Sequence, residues 1–265
     1  MPRTSRLCEA ILQFLLPQRS KLFSWKLREF TKRIVPRAVY RPVMDRWRRW
    51  PPVRWGNLRR VDPFSEVMGL DRGHGIDRYY IETFLKNNSD SIKGNVLEIA
   101  DNNYTVLFGG DKVTKSDVLH AEPGNANATI VGNLETGENI PVNAFDCIIC
   151  TQTLPFVYDF REAIRSCHNA LRPGGVLLAT FAGITQISRY DMERWGDYWR
   201  FTSLSTKRIF SEVFDPELVV VKSHGNVLTS ISSLLGLAAE DLEKDELDYH
   251  HRDYEQLITV KAVKD

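Results

Sequence analysis

Short apolar runs recur between residues 94 and 181 at spacings too long for hairpins. Val96-Leu97-Glu98-Ile99-Ala100 predicts one strand, residues 112–118 a second, 128–131 a shorter third, 145–151 a fourth and 176–181 a fifth. Such runs are continuously apolar rather than alternating, the pattern of strands buried on both faces of a parallel sheet. Helical stripes lie beside them. Ile76, Tyr79, Tyr80, Thr83 and Phe84 predict a helix over 76–86, and Ala163, Ile164, Cys167 and Leu171 predict one over 159–171. Arg172-Pro173-Gly174-Gly175 is a sharp turn into the fifth strand. A helix at 205–213 and strands at 218–222 and 256–263 complete an α/β, doubly wound, mostly parallel seven-stranded sheet with helices on both faces. No internal repeat interrupts it.

Charge divides the chain in two. The formal net charge of +1 hides 16 Lys/Arg against three acids in residues 1–60, so the remaining 205 residues carry 19 basic and 31 acidic side chains. The expected organisation is a basic extension with a Pro/Trp/Arg-rich linker over 1–60, then one catalytic-type domain over 61–265. Leu7, Ile11, Phe14 and Leu15 recur at helical spacing among arginines. That pattern suits an interfacial helix on an anionic membrane and equally an amphipathic helix packed on the body. Glu9 and Gln13 argue against a secretory signal, and no run approaches the ~20 apolar residues of a spanning helix. A cytoplasmic protein, soluble or peripheral to a membrane, is expected. Four cysteines fit a reducing compartment. Cys147 and Cys150 sit three apart on a strand and face opposite ways, so no metal site is expected from them.

In a doubly wound sheet the ligand crevice opens beyond the strands' carboxyl ends. Here that rule selects the loop 100–104 after the first strand. The second strand is expected to end at Asp117, about 20 residues on, where a carboxylate that accepts ribose hydroxyls is looked for. A nucleoside-containing cofactor fits that order.

Val96-Leu97-Glu98-Ile99, Phe145-Asp146-Cys147-Ile148-Ile149 and Leu171-Arg172-Pro173-Gly174-Gly175-Val176 together resemble the class I, Rossmann-like S-adenosylmethionine-dependent methyltransferases of the UbiE-like, type 11 group. Residues 73–82 and 188–202 further resemble bacterial methyltransferase-like proteins of glycan and cell-surface polysaccharide synthesis. The resemblance implies S-adenosylmethionine as cofactor. It places Glu98 on the first strand, the methionine end beside Ala100, Asp101 and Asn102, and the ribose on Asp117. Adenine falls near Asn133 and Leu134, with Thr151 and Gln152 on the cofactor or substrate side and Tyr79 on a helix capping the cofactor. This sequence lacks glycine at 100, 102 and 104, where the family usually has it, and has Asn133 where an acid is common.

Methyl transfer to a hydroxyl needs a group that takes its proton. Asp191, Glu193 and His120 are the candidates, with His74 and His224 behind them, beside a cluster of Tyr190, Trp195, Tyr198 and Trp199 suited to sugar rings. The function expected is methyl transfer to a hydroxyl or similar group of a glycan, sugar precursor or other small molecule. The competing reading is an inactive methyltransferase-like scaffold in polysaccharide assembly. A nucleic-acid methyltransferase ranks last, because Thr151-Gln152-Thr153-Leu154-Pro155 is no base-methylating motif.

Overall fold

A computed structural model describes residues 54–265, and residues 61–265 form one compact unit. The basic stretch before residue 54, with its proposed interfacial helix, lies outside the described residues. Seven strands build a single sheet: β1 (Gly94–Ile99), β2 (Val113–His120), β3 (Ile130–Val131), β4 (Phe145–Thr151), β5 (Leu171–Ala182), β6 (Val219–His224) and β7 (Leu257–Val263). Their order is β3-β2-β1-β4-β5-β7-β6. Strands β1 to β5 pair in parallel, whereas β7 runs antiparallel to both β5 and β6. The result is a Rossmann-like, mostly parallel sheet with its order reversing between β1 and β4. Ligands bind at such a reversal.

Two apolar layers clamp the sheet. Helix α1 (Ile76–Asn87) buries Ile76, Tyr80, Ile81, Phe84 and Leu85 on one face, against Val96, Cys147, Ile149 and Leu178. Helix α2 (Phe160–Ala170) covers the other, where Leu97, Ile148, Cys150 and Leu177 meet Ala163, Ile164 and Cys167. Cys147 and Cys150 thus fall in opposite layers, as strand parity requires. Burial pushes the Cys147 thiol far up, so it stays an inert thiol.

The second strand corrects one expectation. It runs three residues past Asp117 and ends at His120, with Leu97 opposite Asp117 and Ile99 opposite Leu119. The connection that follows β5 carries α3 (Arg189–Met192) and leads to α4 (Ser203–Phe210), while α5 (Val227–Leu234) and α6 (Lys244–Asp248) precede β7. Among the described residues no helix is long and apolar enough to cross a membrane.

Candidate active site

Beyond the carboxyl ends of β1, β2, β4 and β5 lies a cavity of about 590 Å³. Small-molecule sites usually measure ~300–1,000 Å³. The chain leaves β1 at Ala100, whose φ of 72° is left-handed backbone. A residue with a Cβ is disfavoured there by roughly 1–2 kcal/mol. Two hydrogen bonds hold it: the Ala100 N–H donates to the Leu119 carbonyl (2.9 Å), and the Ala100 carbonyl accepts from Asn125 Nδ2 (2.7 Å).

Glu98 shapes the rest of this loop. It is 2% exposed, yet its carboxylate accepts from the Tyr104 N–H (3.1 Å), the Thr105 N–H (2.7 Å) and the Thr105 hydroxyl (2.6 Å). One buried acid therefore fastens the start of the following helical turn, so the loop keeps its form without glycine. Burial raises the Glu98 carboxyl to about 7, against the pull of those donors, and the Asp101 charge adds to the rise. Arg78 Nη1 donates to the Tyr104 hydroxyl (2.7 Å), which fixes that buried ring on the cavity wall. Asp77, Arg78, Asp101 and Tyr104 all border the cavity.

At the end of β2, His120 borders the cavity, and its Nδ1 lies 2.6 Å from the Glu122 carbonyl oxygen. The Glu122 N–H points at the same nitrogen (3.2 Å), so both backbone groups of Glu122 hold the ring by Nδ1 and leave Nε2 free of them. Farther along, Asn133 and Leu134 also border the cavity; Leu134 is buried, and Asn133 Oδ1 accepts from the Glu135 N–H (2.7 Å). Gln152, at φ 49°, turns the chain after β4, and its N–H donates to the Thr180 carbonyl (3.1 Å).

The opposite wall is the segment after β5. Asp197, whose side chain is 1% exposed, accepts from the Ser188 N–H (3.1 Å) and pairs with Arg200. Burial pushes this carboxyl up, but the Arg200 and Ser188 donors outweigh it and hold it below the usual range. Arg200 Nη2 also donates to the Gln186 carbonyl (2.7 Å), so one ion pair ties residues 186, 188 and 200 together. Asp191 Oδ2 accepts from the Ser188 hydroxyl (2.5 Å). Trp195 stands edge-on to His120 at 5.5 Å and Tyr198 edge-on to Tyr158 at 5.3 Å, so this segment reaches back over the end of β2.

Of the residues expected at the site, Glu98, Ala100, Asp101, His120, Asn133, Leu134, Thr151, Gln152 and Asp191 line this one cavity. Four do not. Asp117 is 4% exposed and spent elsewhere: its carboxylate accepts from the Thr129 hydroxyl (2.9 Å) and from Lys115 (2.8 Å). That corrects its placement at the ribose. Asn102 donates to the Ser116 hydroxyl (3.2 Å), the Tyr79 hydroxyl donates to Asp248 (2.5 Å), and Glu193 is exposed outside the cavity. His74 meets Glu82 (3.2 Å) away from the cavity, and burial, with His250 and Lys222, lowers His224 to about 4 beside Thr259. Sequence reasoning missed Asp197, Gln186, Ser233 and Gln256, all on the wall. Their only common signal is a polar residue beside an apolar run, which is not specific.

Residues 93–179 match the family model described as a methyltransferase domain. This segment is a methyltransferase domain. Its cofactor is S-adenosylmethionine. The domain match runs from β1 into β5 and covers the cavity residues from Glu98 to Tyr158, whereas Met68, Asp77 and Arg78 precede it and the wall after β5 lies beyond it. No curated protein matches the chain. Among solved structures, a SAM-dependent methyltransferase from Archaeoglobus fulgidus is 11% identical, with a TM-score of 0.47 over 71% of this chain and 94% of its own. A second, from Mesorhizobium loti, is 15% identical, with a TM-score of 0.47 over 74% and 100%. The [4+2]-cyclase SpnF is 13% identical, with a TM-score of 0.45 over 70% and 80%.

Proposed function

We propose that this methyltransferase acts on a hydroxyl, or a similar group, of a glycan, sugar precursor or other small molecule. One observation carries the reading: a single cavity joins a β1/β2 end suited to an adenosyl amino acid to a β5 end rimmed by rings and hydrogen-bonding groups. The side chains suit the cofactor. Asp77 and Asp101 would face its ammonium, Arg78 its carboxylate and Leu134 its adenine, with Asn133 offering the amide oxygen's second lone pair to the adenine amino group. His120 Nε2 would hydrogen-bond a ribose hydroxyl, in the place that Asp117 was expected to fill.

Bound there, S-adenosylmethionine supplies an electrophilic methyl on sulfonium. The chain must align the acceptor oxygen and remove its proton. Asp191 would serve as that base: it borders the cavity, and the Ser188 hydroxyl fixes its orientation. Trp195 and Tyr198 offer faces on which a sugar ring stacks. Asp191→Asn is expected to lower kcat about 100-fold while S-adenosylmethionine affinity, read by calorimetry, stays unchanged. An unchanged kcat would remove Asp191 from the chemistry.

The left-handed Ala100 and the diverted Asp117 favour a second reading, a scaffold that has lost catalysis and serves polysaccharide assembly. Calorimetry separates the two: a folded chain that gives no heat with S-adenosylmethionine is a scaffold. We also propose that the +13 excess of residues 1–60 holds a cytoplasmic protein at an anionic membrane surface. Co-sedimentation with phosphatidylglycerol vesicles, lost in 0.5 M salt on the order expected from charge screening, tests this.

A further inference from the structure

Helix α5 is set inside out. It turns Thr229, Ser230 and Ser232 into the protein and leaves Val227, Leu228, Ile231 and Leu234 between 40% and 46% exposed, and it carries no charged side chain. An amphipathic helix in water faces the other way. Its roll is fixed from the amino end: Asn226 Oδ1 accepts from the Leu228 and Thr229 N–H groups (2.9 and 3.0 Å), and Asn226 Nδ2 donates to the carbonyls of Glu246 and Tyr249 (2.7 and 2.8 Å). At the other end the Phe64 N–H donates to the Leu235 carbonyl (2.7 Å), and Gly236 packs so close to Ser65 that a Cβ would lie 2.3 Å from the Ser65 carbonyl oxygen. The turn held there adds exposed Val67 and Leu70. These elements also bound the cavity, through Ser233 of α5 and Met68 of the turn.

We infer that the outer face of α5 is a membrane-docking surface, which seats at the headgroup–acyl boundary of an anionic bilayer beside the cavity rim. Area argues against a second copy of the chain: four side chains less than half exposed fall far short of the ~800 Å² per partner that a standard protein interface buries. Lipid sets no such minimum, because apolar insertion and electrostatic attraction add. The attraction has a source in the chain itself, since the stretch with 16 Lys/Arg against three acids ends at residue 60, just before the Phe64–Leu235 bond. Two of the acids beyond α5 are already matched, Asp241 by Arg72 and Asp248 by Lys244.

This inference rests on the membrane reading of residues 1–60, and two measurements on the full chain separate them. The first puts an environment-sensitive NBD fluorophore on Ile231→Cys in a Cys8→Ser background, where the other three cysteines are buried. Leu204→Cys, exposed on the α2 side of the sheet, is the control. On mixed phosphatidylcholine–phosphatidylglycerol vesicles, emission at 231 should shift to the blue and be quenched by nitroxide-labelled lipid, while emission at 204 stays unchanged. The second is co-sedimentation of a Leu228→Gln, Ile231→Gln, Leu234→Gln variant, whose partition into the same vesicles should fall about tenfold at an unchanged Tm. A probe at 231 that stays wet on vesicle-bound protein, or a triple variant that binds as the wild type does, overturns the inference and leaves residues 1–60 as the anchor. Binding that survives about 0.5 M salt but fails in the triple variant removes that anchor and supports α5. A probe already dry without lipid, or a wild-type dimer that the triple variant dissolves, assigns the face to protein and overturns the inference. A wild type that ignores these vesicles at low salt overturns both readings.

Discussion

The two loops that wall the cavity solve the same problem by different means. After β1, a single buried carboxylate, Glu98, gathers three donors and fixes the turn from within the sheet. After β5, the segment to Arg200 is fixed from its own side chains, through Asp197, Arg200 and Ser188. The first belongs to the strand framework shared by the matched domain, and the second lies outside it. Shape at the cofactor end therefore follows from the fold, whereas shape at the acceptor end depends on a few polar contacts that sequence change can readily rewrite.

Removing each anchor tests that contrast. The largest effect is expected from Glu98→Ala, which strands two backbone N–H groups and a hydroxyl in the interior; at roughly 1–3 kcal/mol for each orphaned group, urea unfolding should show a loss of about 3 kcal/mol, with cofactor binding lost as well. Next comes Asp197→Ala, which should cost about 2 kcal/mol and impair acceptor turnover while leaving S-adenosylmethionine affinity within about twofold. The Asp197 contribution also has a pH signature. Its carboxyl is held below the usual range in the folded chain, so its stabilisation is complete above the unfolded value near 4 and disappears as pH falls through the folded value. Trp195 and Trp199 fluorescence in an acid titration should report loosening of this segment, and Asp197→Asn should abolish that step.

A smaller effect, of opposite sign, is expected at Ala100. Glycine tolerates φ 72° without a Cβ penalty, so Ala100→Gly should stabilise the chain by about 1 kcal/mol and leave cofactor affinity equal or better. Destabilisation on urea unfolding would mean that the alanine methyl makes a contact worth more than its backbone strain.

How far the sequence revealed all this tracks with where polarity falls. The fourth strand was legible to the residue, because Phe145 to Thr151 is nearly all apolar and buried on both faces. The second was read short because Asp117 looks like a strand end; Lys115 and Thr129 compensate the acid, and the strand continues. Helix α5 escaped notice because it buries Thr229, Ser230 and Ser232 while exposing Val227, Leu228, Ile231 and Leu234, the reverse of the usual pattern. At the site, the β1 loop was legible because its chemistry is contiguous in sequence. Asp197 was not, because it acquires its role from Ser188 and Arg200, which only the folded chain brings to it.

The arrangement at the end of β2 bears most directly on the claim that this cavity holds an adenosyl group. Calorimetric titration of S-adenosylmethionine into wild type, His120→Ala and Asp117→Asn is the decisive measurement. The expected result is one-to-one binding to the wild type, an affinity about tenfold weaker in His120→Ala for one lost hydrogen bond, and an unchanged affinity in Asp117→Asn. No heat from the folded wild type, or a loss confined to Asp117→Asn, would contradict it.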